Sequence, residues 1–277
     1  MIGPRMAQRR HLDQKLRLNL LRAVDAIESQ RSLLKGRFDV SEMAIATFLQ
    51  ARAYGKPLVL LPITLAARFQ QSALLCRANS RIKGPEDLCG CRVGVRACSQ
   101  TTGMWLRGIL ADEYGVQPDQ VRWVTFEDAH VREYRDPPWA ERASPGADLA
   151  AMLRAGELDA IIVGNEVPSG ADIRPVFPDV DGSARRFWQA HRFVPVNHLV
   201  TVRREHADAH PDLVRELMRL FRESKDAAGP RREPDPYLFG REALAPAVTL
   251  ALRYSQQQGL LPRELSLAEV WEGTPAL

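Results

Sequence analysis

Arg92–Gly115 reads RVGVRACSQTTGMWLRGILADEYG. Arg92-Val93-Gly94-Val95 is a short apolar run of the kind that forms a buried strand. Ser99-Gln100-Thr101-Thr102 then sets hydroxyl and amide side chains where a helix should begin. Trp105, Leu106, Ile109 and Leu110 recur at helical spacing and give that helix an apolar face. A strand that feeds a polar helix N-terminus makes a ready anion site, because unpaired backbone N–H groups and the helix dipole both point at the ligand. Plain capping by Ser or Thr explains the same residues and is worth about 1 kcal/mol. The segment by itself leaves both readings open.

Outward from this stretch, strands alternate with helices. Phe38-Asp39-Val40 is a strand-like step, after which Ser41 and Glu42 can start a helix over Met43–Ala53. Leu58–Ile63, Ser72–Cys76, Val121–Thr125 and Glu157–Val163 are further strand candidates, and Val176-Phe177 and Phe193–Val202 hold more strand material. Asp148–Ala155, Pro211–Ala228, Ala243–Gln258 and Leu267–Trp271 are helical in period, while Glu127–Pro145 and Gly229–Gly240 read as loops. Leu12–Leu34 fits either an amphipathic helix or, at Leu16–Leu20, an alternating strand. The pattern predicts an α/β protein with mostly parallel sheets.

The chain has 277 residues, 45% hydrophobic and 26% charged, with a formal net charge of +4. Its cations are almost all arginine, the residue suited to bidentate recognition of carboxylate or phosphate, although codon bias accounts for most of them. No dense basic cluster with interleaved aromatics is present, which argues against nucleic acid, and no apolar run is long enough to span a bilayer. Four cysteines in a chain this long do not make a disulfide scaffold, and Cys89-Gly90-Cys91 lacks metal-ligand company. The N-terminal stretch never reaches a clean apolar signal segment. The expected location is therefore cytoplasmic, or periplasmic if an upstream leader is missing.

FDVSEM (38–43), RVGV with TTGMWLRGILADEYGV (101–116), LAAMLRAGELDA (149–160), PVNH (195–198) and ALRYSQQQGLLPREL near the end occur in a recognisable order. With them the chain resembles the 4,5-dihydroxyphthalate decarboxylase family and its relatives among the substrate-binding proteins of ABC transporters. The resemblance implies a type II periplasmic-binding-protein fold, two α/β lobes with a ligand cleft between them. Residues 1–74 with 197–277 would form lobe one, and residues 75–196 lobe two. Only 37 residues precede Phe38, so the N-terminal part of lobe one is expected to be shortened. Just before Ser72, relatives often carry arginine-histidine where this chain has Gln70-Gln71, which removes an imidazole and a cation from the implied hinge.

Each candidate residue has a functional and a structural reading. Ser41 and Glu42 would line the cleft rim or simply cap a helix. Arg68 would clamp a ligand carboxylate or form a surface salt bridge. Ser72 would lie near the hinge, and Ser99, Thr101 and Thr102 would cradle an anion. His130 could reach the cleft from a polar loop, and Asn165 ends a strand where an amide can touch a ligand or make a turn. His198, between PV and LVTV, is the foremost candidate, because imidazole exchanges protons near neutral pH.

Two functions fit these residues. In a decarboxylase of dihydroxylated aromatic acids, His198 would deliver a proton to the ring, Arg68 and the Ser99–Thr102 helix end would hold carboxylates, and Glu42 would accept from a phenol. The ring hydroxyls supply electron density, so no organic cofactor is expected; a divalent metal with Glu42 and two histidines is conceivable, but no ligand spacing calls for one. In a substrate-binding protein, the same groups would close over a small anion without chemistry. The expected partner in either case is a small aromatic or carboxylate ligand, with a homo-oligomer compatible with both.

Overall fold

A computed structural model describes residues 30, 32–164, 170–229 and 233–275. Most of the ambiguous Leu12–Leu34 segment lies outside them, though residues 30 and 32–34 are helical.

Two sheets carry the described residues. Val40–Ala44 (β1), Leu58–Ala67 (β2) and Val196–Arg203 (β9) form a three-stranded antiparallel sheet in the order β1-β9-β2. Leu74–Arg77 (β3), Arg92–Val95 (β4), Arg122–Thr125 (β5), Ala140–Arg142 (β6), Ala160–Ile162 (β7) and Ile173–Pro175 (β8) form a second sheet in the order β6-β5-β4-β7-β3-β8. Its β4, β5, β6 and β7 run parallel, whereas β3 pairs antiparallel with both β7 and β8. The expectation of mostly parallel sheets is thus corrected to a mixed arrangement. Parallel pairing needs a long crossover, and here it is confined to strands separated by helix or loop.

Between these strands lie the helices Ile45–Ala53 (α1), Thr101–Tyr114 (α2), Leu149–Ala155 (α3), Val180–His191 (α4), Arg204–Ala209 (α5), Pro211–Ala227 (α6), Arg241–Gln257 (α7) and Leu267–Val270 (α8). All of Thr101–Leu110 in α2 is buried. A helix apolar on every side must be covered on every side, and α2 is shared between two cores. Met104, Trp105 and Ile109 join α1, α7 and the three-stranded sheet, while Leu106 and Leu110 join the six-stranded sheet. Gly108 lets α7 close in, since a Cβ there would stand 2.1 Å from Cδ2 of Tyr254.

Two corrections bear on the site. Ser41 and Glu42 belong to β1 and do not start a helix; α1 begins at Ile45, and its N-cap, Ala44, has no side-chain cap. The five-residue pairing of β1 with β9 outweighs the local capping preference of Ser-Glu. The Glu127–Pro145 loop also contains a strand, β6, which pairs in parallel with β5 at the sheet edge.

The chain passes between the sheets at Arg68–Ala73 and returns ahead of β9. These two segments are joined: the Arg68 amide donates to the Pro195 carbonyl (3.1 Å), and Gln70 Nε2 donates to Asn197 Oδ1 (2.9 Å) and to the Arg68 carbonyl (2.7 Å).

Candidate functional site

Strand alternation determines what β1 presents. Successive side chains point to opposite faces, so Ser41 and Glu42 do not share a surface. Ser41 is buried, its hydroxyl donates to the Glu42 carbonyl (3.0 Å), and its own carbonyl accepts from Thr201 (3.1 Å). Glu42 lies opposite Val200, and Ala44 lies opposite His198. Glu42 and His198 are therefore diagonal neighbours on one face, close enough to interact. Their Oε2 and Nδ1 atoms are 3.2 Å apart, with the two side chains 32% and 23% exposed.

The His198 hydrogen bond holds the Glu42 carboxyl below its usual range, against the opposing effect of burial. An ionised carboxylate only accepts hydrogen bonds. Nδ1 of His198 must then donate, which leaves Nε2 as the ring nitrogen available to another group.

A second constellation gathers at the first turn of α2. Its N-cap, Gln100, makes no side-chain cap, so the helix start is not closed from within. Thr101 Oγ1 accepts from the Ala46 amide of α1 at 3.3 Å, which brings the N-termini of α1 and α2 together. Thr102 Oγ1 accepts from Arg68 Nη2 at 3.3 Å, and the same nitrogen donates to the Gly164 carbonyl at 3.0 Å. Ser99 is buried, and its hydroxyl has no hydrogen-bond partner among the described residues. None of the three hydroxyls caps α2 itself; that of Thr101 serves the first turn of α1 instead.

Arg68 is half-buried, and burial lowers its pKa. Both of its hydrogen-bond partners are uncharged, and no carboxylate pairs with it among the described residues. The surface salt bridge offered as the alternative is not found among the described residues. His130 comes from the loop after β5 to stand 3.3 Å from Thr47 Oγ1 on α1, joining the side of the first turn. Ser72 is exposed on the 3-10 turn Gln71–Ala73. Asn165 lies outside the described residues.

Three glutamines that the sequence reading named without making them site candidates also lie here. Gln100 holds a buried Oε1 with no partner, and its Nε2 would lie 3.7 Å from a Cβ built on Gly164. Gln70 joins the two crossing segments through Asn197, and Gln71 is fully buried with neither amide atom paired. The substitution noted at Gln70-Gln71 was the available signal for this pair. Among the described residues no group of three or more His, Cys, Asp or Glu is placed to hold a metal ion, and no helix is long and apolar enough to cross a membrane.

Residues 12–134 match the family described as NMT1/THI5 like. The chain is 28% identical over 217 residues to a 4,5-dihydroxyphthalate decarboxylase of Comamonas testosteroni, covering 72% of this chain and 64% of that protein. It thus spans less than two thirds of that relative's length. A Pseudomonas putida protein of the same name is 25% identical over 173 residues, 58% of this chain and 67% of its own. Among solved structures, the periplasmic aliphatic sulphonate binding protein SsuA of Escherichia coli is similar with a TM-score of 0.59 at 16% identity, over 90% of this chain and 84% of that one. The alkanesulfonate-binding SsuA of Xanthomonas axonopodis pv. citri, bound to MOPS, gives 0.54 at 16% identity, over 88% and 84%. At such identities the likeness concerns architecture alone. The chain is a distant relative of proteins named 4,5-dihydroxyphthalate decarboxylase, with an NMT1/THI5 like region and the α/β fold of periplasmic binding proteins.

Proposed function

We propose that the protein binds a small organic dianion at the first turn of α2 and decarboxylates it, the substrate being a dihydroxylated aromatic acid of the phthalate type. The observation that carries the anion reading is Arg68, a half-buried guanidinium whose hydrogen-bond partners are both neutral. A charge removed from water in this way calls for a counter-charge, and a planar guanidinium fits a carboxylate through two parallel hydrogen bonds. The open N-terminus of α2 and the Ser99 hydroxyl add donors beside it.

The chemical step is supported by the Glu42–His198 pair and by the names of the sequence relatives. A proton from His198 adds to the ring carbon that bears the carboxylate. The bond to that carboxylate then breaks, its electron pair returns to the ring, and carbon dioxide leaves. Glu42 steadies the imidazolium and accepts a hydrogen bond from a ring hydroxyl. The second reading, binding without turnover, draws on Arg68 and α2 alone, since anion retention does not require an acid–base pair.

The deciding experiment incubates purified protein with 4,5-dihydroxyphthalate and follows 3,4-dihydroxybenzoate and carbon dioxide. Turnover that disappears in His198→Ala supports the enzyme. Binding without product in the wild type retires the decarboxylase reading in favour of the binding protein. Absence of both binding and product retires the anion site itself.

A further inference from the structure

Arg107 is 1% exposed, one of the largest fully buried side chains in the molecule. A guanidinium keeps its charge inside proteins, and an unpaired buried charge is costly. Its partners are nevertheless all neutral. Nε donates to Gln258 Oε1 at 2.8 Å, Nη2 donates to the Cys98 carbonyl at 2.6 Å, and Nη1 has no partner. The guanidinium carbon stands 5.1 Å from the Trp123 ring centroid and 5.8 Å from that of Trp139, so π faces supply part of the missing solvation. No carboxylate pairs with it among the described residues.

Its placement explains why a charge sits there. Although Arg107 is in the second turn of α2, its side chain folds back along the first. A Cβ built on Gly103 would lie 3.1 Å from Nη1, so glycine at 103 keeps that space open. The carbonyl it holds belongs to Cys98, the residue before Ser99 in the segment that leads into the helix. Gln258 is bound in turn to the Met104 carbonyl of the same turn at 2.9 Å.

We infer that Arg107 is a positioning and charge-supplying residue for the α2 anion site. It fixes the Cys98–Gln100 segment through one carbonyl and adds, at the first turn of α2, a positive charge with no direct carboxylate partner among the described residues. The inference rests on the proposed anion site and deepens it by adding a specificity residue: Arg107 is what makes that site favour the dianion over monoanions and neutral aromatics. Arg68 would meet the ligand directly, whereas Arg107 acts through the loop and through its field. Because the charge is buried, salt screens it less than a surface charge.

The test measures calorimetric affinity for phthalate, benzoate and catechol in the wild type, Arg107→Met and Arg107→Lys. Arg107→Met should weaken phthalate binding about tenfold more than catechol binding, with benzoate between, as expected when one buried positive charge is removed. Arg107→Lys should preserve the wild-type ratio of phthalate to catechol affinity even where absolute affinity falls. Equal loss for all three ligands in Arg107→Met would make the residue merely structural and overturn the inference. Should Arg107→Met fail to fold, a collapse of the ratio by about tenfold or more in Arg107→Lys, which keeps the charge, would overturn it instead. A wild type that binds none of the three removes the anion site and this assignment with it.

Discussion

Thr101 completes the first turn of a helix to which it does not belong: its hydroxyl oxygen lies 3.3 Å from the backbone nitrogen of Ala46. Ala44, the residue positioned to cap α1, has no side-chain acceptor to offer, so the missing cap is supplied from α2. Thr101→Val keeps the shape and removes the acceptor, leaving a buried amide unpaired. The expected loss is about 1–2 kcal/mol of unfolding free energy, read as a lower denaturant midpoint at unchanged slope. Thr101→Ser should recover most of it.

Arg68→Ala should lower affinity for phthalate by about ten- to a hundredfold, the range for hydrogen bonds to a charged partner. Arg68→Lys should recover only part, because an ammonium cannot reproduce the planar fork. Titration calorimetry distinguishes the two; equal affinity for wild type and Arg68→Ala would place the ligand elsewhere.

The Glu42 carboxyl sits below its usual value, chiefly through the His198 hydrogen bond. A depressed carboxyl pKa in the folded state contributes stability above the unfolded-state value, and that contribution is lost as pH falls through the folded-state value. The melting temperature of the wild type should therefore exceed that of Glu42→Gln near neutral pH, and the gap should shrink as the solution is taken below the ordinary carboxylate range. A gap that widens on acidification would contradict the hydrogen-bond assignment. Both groups remain partly open to solvent, so the effect is modest.

Gly108→Ala should be more damaging than an exposed glycine-to-alanine change in a helix. The new methyl would fall 2.1 Å from Cδ2 and 2.2 Å from Cε2 of Tyr254, an overlap that α2 and α7 can relieve only by moving apart. About 2 kcal/mol or more is expected from overpacking of this kind. Adding Tyr254→Leu should cost less than the sum of the single changes, as neighbouring sites are coupled. Chemical denaturation of the four proteins measures that coupling.

How much of this was legible depends on whether the cue was local. RVGV and TTGMWLRGIL were read as a strand and a helix, and they are β4 and α2, because continuous apolar runs and helical spacing declare themselves within a few residues. Ser41-Glu42 has the local look of a helix start, yet β1 is held by a partner strand more than 150 residues away, which no window around FDVSEM contains. Helix α4 was not expected at all. Three of its twelve residues are buried, Gly182, Ser183 and Phe187, so its apolar stripe is thin. Its readable sign was Asp179, whose carboxylate accepts from the Gly182 amide as an N-cap. Strand β6 offered still less, being three residues, two of them exposed, at a sheet edge.

At the candidate site the residue types were readable and their grouping was not. Arg68, Thr101, Thr102, Glu42 and His198 were all named as candidates, but nothing in the sequence states that Arg68 meets Thr102, or that Thr101 serves α1. The Gln100 amide was read as part of a polar helix start; its buried and unpaired oxygen is a property of packing.

The Glu42–His198 contact joins residues 156 positions apart. Closing so long a loop is entropically unfavourable until other contacts reward it, so the pair is absent from every partially folded chain in which β9 has yet to dock between β1 and β2. Neither residue has the other within its own sheet-forming neighbourhood until the C-terminal part of the molecule is in place. The Glu42–His198 contact therefore also reports the docking of β9: on refolding, its effect on the Glu42 carboxyl should return with the three-stranded sheet, after the local helical signal has recovered.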